Sequence, residues 1–112
     1  TGAADASAAG VLAWYSLIHV PPDDLAAAAA ELARVVRPGG VVLAAAQSGT
    51  GMRTIAGAYG TDATLTAWAY DAPTLAAALT DAGLDVEDAR DREAVGCERM
   101  PQAAVLARRP LR

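Results

Sequence analysis

The stretch from Gly10 to Gln47 reads as strand, helix, strand. A chain that returns to a strand after a single helix is committed to a parallel pair joined by a right-handed crossover. The first strand is Gly10 to Ser16 (GVLAWYS), a continuous apolar run rich in aromatic and branched residues, the pattern of a strand covered on both faces. Pro21 and Pro22 suit a first helical turn, where a missing N–H costs nothing, and Asp23 and Asp24 place negative charge at the positive end of the helix dipole. Leu25, Ala28, Ala29, Leu32, Val35 and Val36 then recur at helical spacing, with Glu31 and Arg34 off that face. Arg37 is expected in the last turn, followed by Pro38 as a stop and Gly39-Gly40 in the left-handed conformation of a helix end. Val41 to Ala46 (VVLAAA) is the second strand.

The remainder is less regular. Ser48 to Tyr70 interleaves glycines and small polar residues with Tyr59, Trp68 and Tyr70, without clean periodicity, and reads as a long irregular loop. Asp71 is expected to cap a helix whose apolar face is Leu75, Ala78, Leu79 and Ala82 and which Gly83 closes. Leu84 to Glu87 alternates as a half-exposed strand, and Ala103 to Ala107 is a final buried one, joined through Glu93 to Pro101 as an antiparallel hairpin with a long loop. At 112 residues two independent domains are excluded. The core is thin, because 30 of the 60 apolar residues are alanine and there is no phenylalanine. Each leucine offers roughly 2 kcal/mol more burial than an alanine, at about 0.8 kcal/mol per methylene, so a self-sufficient fold would be marginal.

A net charge of −4 argues against nucleic acid or an anionic membrane as partner, since both are bound through basic patches. The longest apolar run, Val11 to Val20, is interrupted by Ser16 and His19 and falls short of the roughly 20 residues of a membrane span. It lacks a preceding cation, so it is not a signal peptide either. The single cysteine, Cys97, cannot form an intrachain disulfide, and a reducing, cytoplasmic location is expected. The chain opens with Thr1 directly before a buried-looking strand and reads as part of something longer.

The order of these features resembles the second half of a class I S-adenosylmethionine-dependent methyltransferase domain of the small-molecule type that includes the ubiquinone and menaquinone methylases. Gly10 to Val20 (GVLAWYSLIHV) looks like the family's fourth strand and the segment after it. Glu31 to Gly40 (ELARVVRPGG) is similar to its helix end and turn into the fifth strand, and is the most specific match. Leu79 to Leu84 (LTDAGL) matches the later helix end leading into the sixth. Ala8 and Ala9 depart from the aromatic residue and aspartate common ahead of the fourth strand. The resemblance covers essentially residues 1–112 and implies an α/β fold: part of a Rossmann-like sheet, strands four to seven, mixed through its antiparallel terminal hairpin, with two main helices. It also implies that the glycine-rich loop and the acid that hold the cofactor's methionine end and ribose lie outside these residues. S-adenosyl-L-methionine is the implied cofactor, weakly bound or unbound by this piece alone. The implied acceptor is a small molecule. The fourth strand, left without its family neighbour, would be a hydrophobic edge through which the chain self-associates.

Methyl transfer from a sulfonium needs little from the protein beyond positioning, so few catalytic side chains are expected. His19, the one histidine, is the candidate base for an acceptor proton, against packing at the helix start or contact with the cofactor's edge. Trp14, Tyr15 and Ser16 end a parallel strand, where open α/β sheets bind ligands, and are the candidate cofactor contacts. Side chains alternate along a strand, so not all three can face a pocket, and an aromatic core stripe is the competing reading. Tyr59, Trp68 and Tyr70 are the candidate acceptor lid, or else bulk for an alanine-rich core. Gly49-Thr50-Gly51 is no phosphate loop, since the chain has no lysine, and Ser48 lacks the flanking glycines of a nucleophile elbow. Arg53 reads as a solvated charge rather than an acceptor clamp, Cys97 has only Arg99 as a cationic neighbour, and no metal cluster is visible. Two other classes stay open: a non-catalytic remnant or interaction module offering a sheet edge for strand addition, and the second half of an NAD(P)-dependent oxidoreductase. The Arg-Pro-Gly-Gly turn combined with an antiparallel terminal hairpin favours the methyltransferase.

Overall fold

The computed structural model describes residues 4–14, 17, 20–49, 52–56, 64–96 and 101–111. Its elements are β1 (Ala8–Trp14), a short 3-10 turn (Pro22–Asp24), α1 (Leu25–Val35), β2 (Val36–Gln47), β3 (Met52–Ala56), β4 (Thr64–Trp68), α2 (Ala72–Asp81), β5 (Asp85–Arg92) and β6 (Gln102–Arg108). Four strands form one sheet in the order β1-β2-β6-β5. β1 and β2 pair in parallel, as the crossover demands, and β6 lies antiparallel to both β2 and β5. The expected mixed sheet with an antiparallel terminal hairpin is therefore present.

Both helices lie on one face of this sheet. Leu25, Ala29 and Ala33 of α1 and Ala72, Leu75 and Leu79 of α2 share a buried cluster with Val42, Ala44, Ala46, Ala103, Val105 and Ala107. These strand positions are register partners (Val42 with Ala107, Ala44 with Val105, Ala46 with Ala103), so one pleat face makes the core. The alternate positions, among them Leu12, Leu43 and Leu106, form the opposite face, which no described helix covers.

The junction after α1 differs from the expected glycine cap. Val36 is already extended at the helix end, and the strand assignment runs on through Arg37, Pro38, Gly39 and Gly40, with irregular pairing between Ala8 and Gly10. Arg34, not Arg37, is the cation of the last turn. The carbonyls that end α1 are met by Arg109, whose Nη1 donates to Val36 O at 2.6 Å and to Ala33 O at 3.2 Å. A cation placed there also suits the negative end of the helix dipole. Gly39 does take a left-handed φ of +79°, while Gly40 is required for another reason: a Cβ there would sit 2.6 Å from Ala9 O and 2.7 Å from Val36 Cγ2.

Three further boundaries are corrected. β1 starts earlier, at Ala8 rather than Gly10, and its last expected residues, Tyr15 and Ser16, lie outside the described ones. The supposed irregular loop contains a two-stranded antiparallel sheet, β3 with β4, in which Met52 is the register partner of Trp68 and Ile55 that of Leu65. β5 runs to Arg92 rather than Glu87, because pairing with β6 carries it on through charged, exposed residues that show no hydrophobic alternation. The cap of α2 is as expected: Asp71 accepts from Thr74 N at 2.9 Å, which holds its carboxyl below the ordinary carboxylate range. Gly83 follows with φ +97°. No helix among the described residues is long and apolar enough to cross a membrane.

Candidate functional site

β1, β2 and β5 all run in one direction, and β6 runs against them. The carboxyl ends of the first three and the amino end of β6 therefore meet at one edge, the edge where open α/β sheets take ligands. β1 reaches it at Trp14, paired with Ala45 of β2. Gln47 and Ser48 follow on β2, Arg92 ends β5, and Pro101 and Gln102 open β6.

A hydrogen-bonded clasp closes this edge on its helix side. Ser48 Oγ donates to Asp91 Oδ1 at 2.5 Å, and the same oxygen accepts from Ala72 N, the first residue of α2, at 2.9 Å. Asp91 thus brings a carboxylate to the positive end of a helix. Ser48 N donates to Pro101 O at 2.7 Å. Tyr70 completes the arrangement: its N–H donates to Gln47 O at 2.9 Å and its hydroxyl to Val20 O. The Tyr70 ring is 3% exposed, and burial together with the nearby Asp24 charge pushes its pKa up. The segment leaving β1 is in this way tied to the segment entering α2.

Of the residues proposed from the sequence, Trp14 ends β1 at this edge. Tyr70 is buried beneath it, and Trp68 packs half-buried against the core. Tyr15, Ser16, His19, Tyr59 and Cys97 lie outside the described residues. Asp91 is the participant that sequence reasoning missed. It sits 43 residues from Ser48 in a run of charge, and only the β5–β6 register reveals which face it takes. Among the described residues no cluster of His, Cys, Asp or Glu is arranged to hold a metal.

On the other face of the same edge lies a depression of about 460 Å³ lined by Ala45, Arg90, Asp91, Arg92, Gln102, Ala103 and Ala104. A second concavity, of about 330 Å³, lies at the opposite end of the sheet beside Arg34, Gly83 and Arg109, where Arg109 already serves the end of α1.

No family model and no curated protein matches this sequence. Solved structures do. The whole chain superposes on a SAM-dependent methyltransferase from Methanosarcina mazei with a TM-score of 0.80 and 17% identity, covering 64% of that chain. It covers 53% of the [4+2]-cyclase SpnF, with all of this chain matched, a TM-score of 0.72 and 18% identity. A third match, at TM-score 0.67 and 21% identity, spans 95% of this chain and 45% of the 1,6-didemethyltoxoflavin-N1-methyltransferase of Burkholderia thailandensis, solved with 1,6-didemethyltoxoflavin and S-adenosylhomocysteine bound. The chain thus spans between about half and two-thirds of the length of these structures. The likeness is one of fold: the four-stranded sheet with its two helices is a partial methyltransferase Rossmann-like fold. Since the same fold carries a cyclase, it does not by itself name the reaction.

Proposed function

We propose that this chain is the C-terminal half of an S-adenosylmethionine-dependent methyltransferase domain acting on a small molecule, and that it works only together with a preceding cofactor-binding half. The observation that carries the reading is the strand order β1-β2-β6-β5, with β6 antiparallel between two strands of common direction, matched along the whole chain by a SAM-dependent methyltransferase. A dinucleotide oxidoreductase would more often finish on a parallel strand.

The residues present fit part of S-adenosylmethionine. The carboxyl ends of β1 and β2 lie side by side at Trp14 and Ala45, an apolar strand exit suited to one side of the cofactor. A glycine-rich loop and an acid for the ribose would come from the preceding half. When bound, the cofactor supplies an already activated methyl group. Trp14, Tyr15 and Ser16 at the strand exit hold its edge, and His19 accepts the acceptor's proton where the acceptor is a hydroxyl or an acidic carbon. Tyr59 and Trp68 serve as the acceptor lid, and Tyr70 braces the neighbouring segments through Val20 O and Gln47 O. Without the preceding half, β1 has one partner only among the described strands, and the isolated chain self-associates through its other edge.

His19→Ala in the longer polypeptide tests the assignment of the base. Turnover is expected to fall by about two to four orders of magnitude, with S-adenosylmethionine affinity retained. Unchanged turnover and acceptor affinity would remove His19 from the mechanism.

A further inference from the structure

Tyr70 joins three parts of the molecule that meet at the carboxyl edge. Its ring is buried in the core cluster. Its N–H donates to Gln47 O, on the last residue of β2, and its hydroxyl donates to Val20 O, between β1 and α1. Two residues earlier Trp68 ends β4, and Trp68 is the register partner of Met52, the first residue of β3. The exit of β2, the segment leading from β1 into α1 and the base of the β3–β4 hairpin are thus held by one residue.

The hairpin is tied to the rest of the molecule more loosely than the other strands are. β3 and β4 pair with each other and share no ladder with the four-stranded sheet, and a two-stranded ribbon alone is only marginally stable in water. Its roots therefore decide where it sits. The root at Ser48 is bonded through Oγ to Asp91 and through N–H to Pro101 O. The root at Tyr70 is bonded in addition to Val20, which packs half-buried against the core. Val20 N–H donates to Leu17 O at 3.0 Å, and Leu17 is itself in the core. Residues 15 and 16 alone separate Leu17 from Trp14, the end of β1. Breaking the bond between Tyr70 and Val20 would leave a buried hydroxyl unpaired, which costs more than the net worth of the bond, so a shift of Val20 carries Tyr70 with it.

We propose that Tyr70 couples the cofactor side of the carboxyl edge to the hairpin: occupation of the strand exit of β1 by the adenosyl cofactor is passed through Val20 O and the Tyr70 hydroxyl to the base of β3 and β4. The hairpin base then has one arrangement with the cofactor bound and another without it, the two being favoured unequally by the cofactor. By reciprocity, a molecule bound against the hairpin in the first arrangement tightens the cofactor by the same factor. The inference rests on the function proposed above and gives it an order, with the cofactor preparing the hairpin for the acceptor.

Fluorine NMR of the longer polypeptide labelled with fluorotryptophan tests the coupling, the Trp68 resonance being identified by its loss in Trp68→Phe. S-adenosylhomocysteine is expected to shift the Trp68 resonance, and the shift is expected to be lost in Tyr70→Phe, which still binds S-adenosylhomocysteine in calorimetry. Ser48→Ala, which loosens the other root without touching Val20, is expected to keep the shift. Tyrosine labelled with carbon-13 at Cζ reads the hydroxyl's hydrogen bond in the unaltered polypeptide, so the outcome does not depend on the folding of a variant; Tyr70 is expected to move with the same midpoint as Trp68. Binding of S-adenosylhomocysteine with Trp68 or Tyr70 unmoved, an undiminished shift in Tyr70→Phe, or an equal loss in Ser48→Ala would overturn the coupling and leave the methyltransferase reading standing. Failure to bind S-adenosylhomocysteine at all would overturn both.

Discussion

Arg109 closes α1 from a distance of more than seventy residues in sequence, with one nitrogen reaching Val36 O and Ala33 O. Those carbonyls sit where a helix leaves its last acceptors unpaired. Arg109→Ala is therefore expected to destabilise the fold by about 1.5–3 kcal/mol, as for hydrogen bonds to a charged group, measured by urea unfolding. An effect below about 0.5 kcal/mol would mean that water serves these acceptors as well. Tyr70→Phe keeps the buried ring and removes only the donor to Val20 O, and the expected cost is about 1–3 kcal/mol. The raised pKa of Tyr70 means the folded state holds its proton more tightly than the unfolded one. Its contribution is intact below the ordinary tyrosine value of about 10 and is lost as pH rises beyond it. Asp71 has the opposite sign: its pKa is lowered by the bonds to Thr74, so its contribution is present above the ordinary aspartate value of 3.8 and is lost as pH falls through the lower folded value. Asp71→Ala is expected to cost about 1 kcal/mol at neutral pH and to flatten the acid limb of the unfolding curve.

At the scale of elements, β1 is the apolar one of the sheet's two edge strands, β5 at the other edge being charged. It pairs with β2 on one side only among the described strands, and Leu12 on it is 63% exposed. Sedimentation of the isolated chain is expected to show association that grows with concentration, and Leu12→Lys to shift it towards monomer, since charge blunts an edge. A concentration-independent monomer would contradict the exposed-edge account. The strand-helix-strand unit and the capped second helix were legible in the sequence because each element buries a face with its own period and carries its own punctuation in Pro22, Asp71 and Gly83. β3 and β4 were not. Met52–Ala56 and Thr64–Trp68 are five-residue strands whose pairing with each other supplies the order that their composition does not announce. β5 is the extreme case: DVEDARDR has one branched apolar residue and is a strand because β6 offers it a ladder. The site divides in the same way. Its place at the strand exits followed from topology, whereas the Ser48–Asp91 clasp depends on a register that no local pattern encodes.

For the molecule as a whole, the thin core and the second face that no described helix covers have one explanation. A sheet that is apolar on both faces belongs between two layers, and among the described residues helices cover one face only: α1 and α2 cover Val42, Ala44 and Val105, while Leu12, Leu43 and Leu106 face away from them. The second layer, the glycine-rich loop and the ribose-binding acid are assigned by the proposed function to a preceding half, which links marginal stability to the dependence of activity on that half. Calorimetric titration with S-adenosylmethionine and with NAD, of these 112 residues alone and of the polypeptide that joins them to what precedes Thr1, tests this most directly. The account predicts S-adenosylmethionine binding by the longer polypeptide, none with NAD, and little or none by the 112 residues alone. Binding of NAD, or no binding of S-adenosylmethionine by the longer polypeptide, would contradict it.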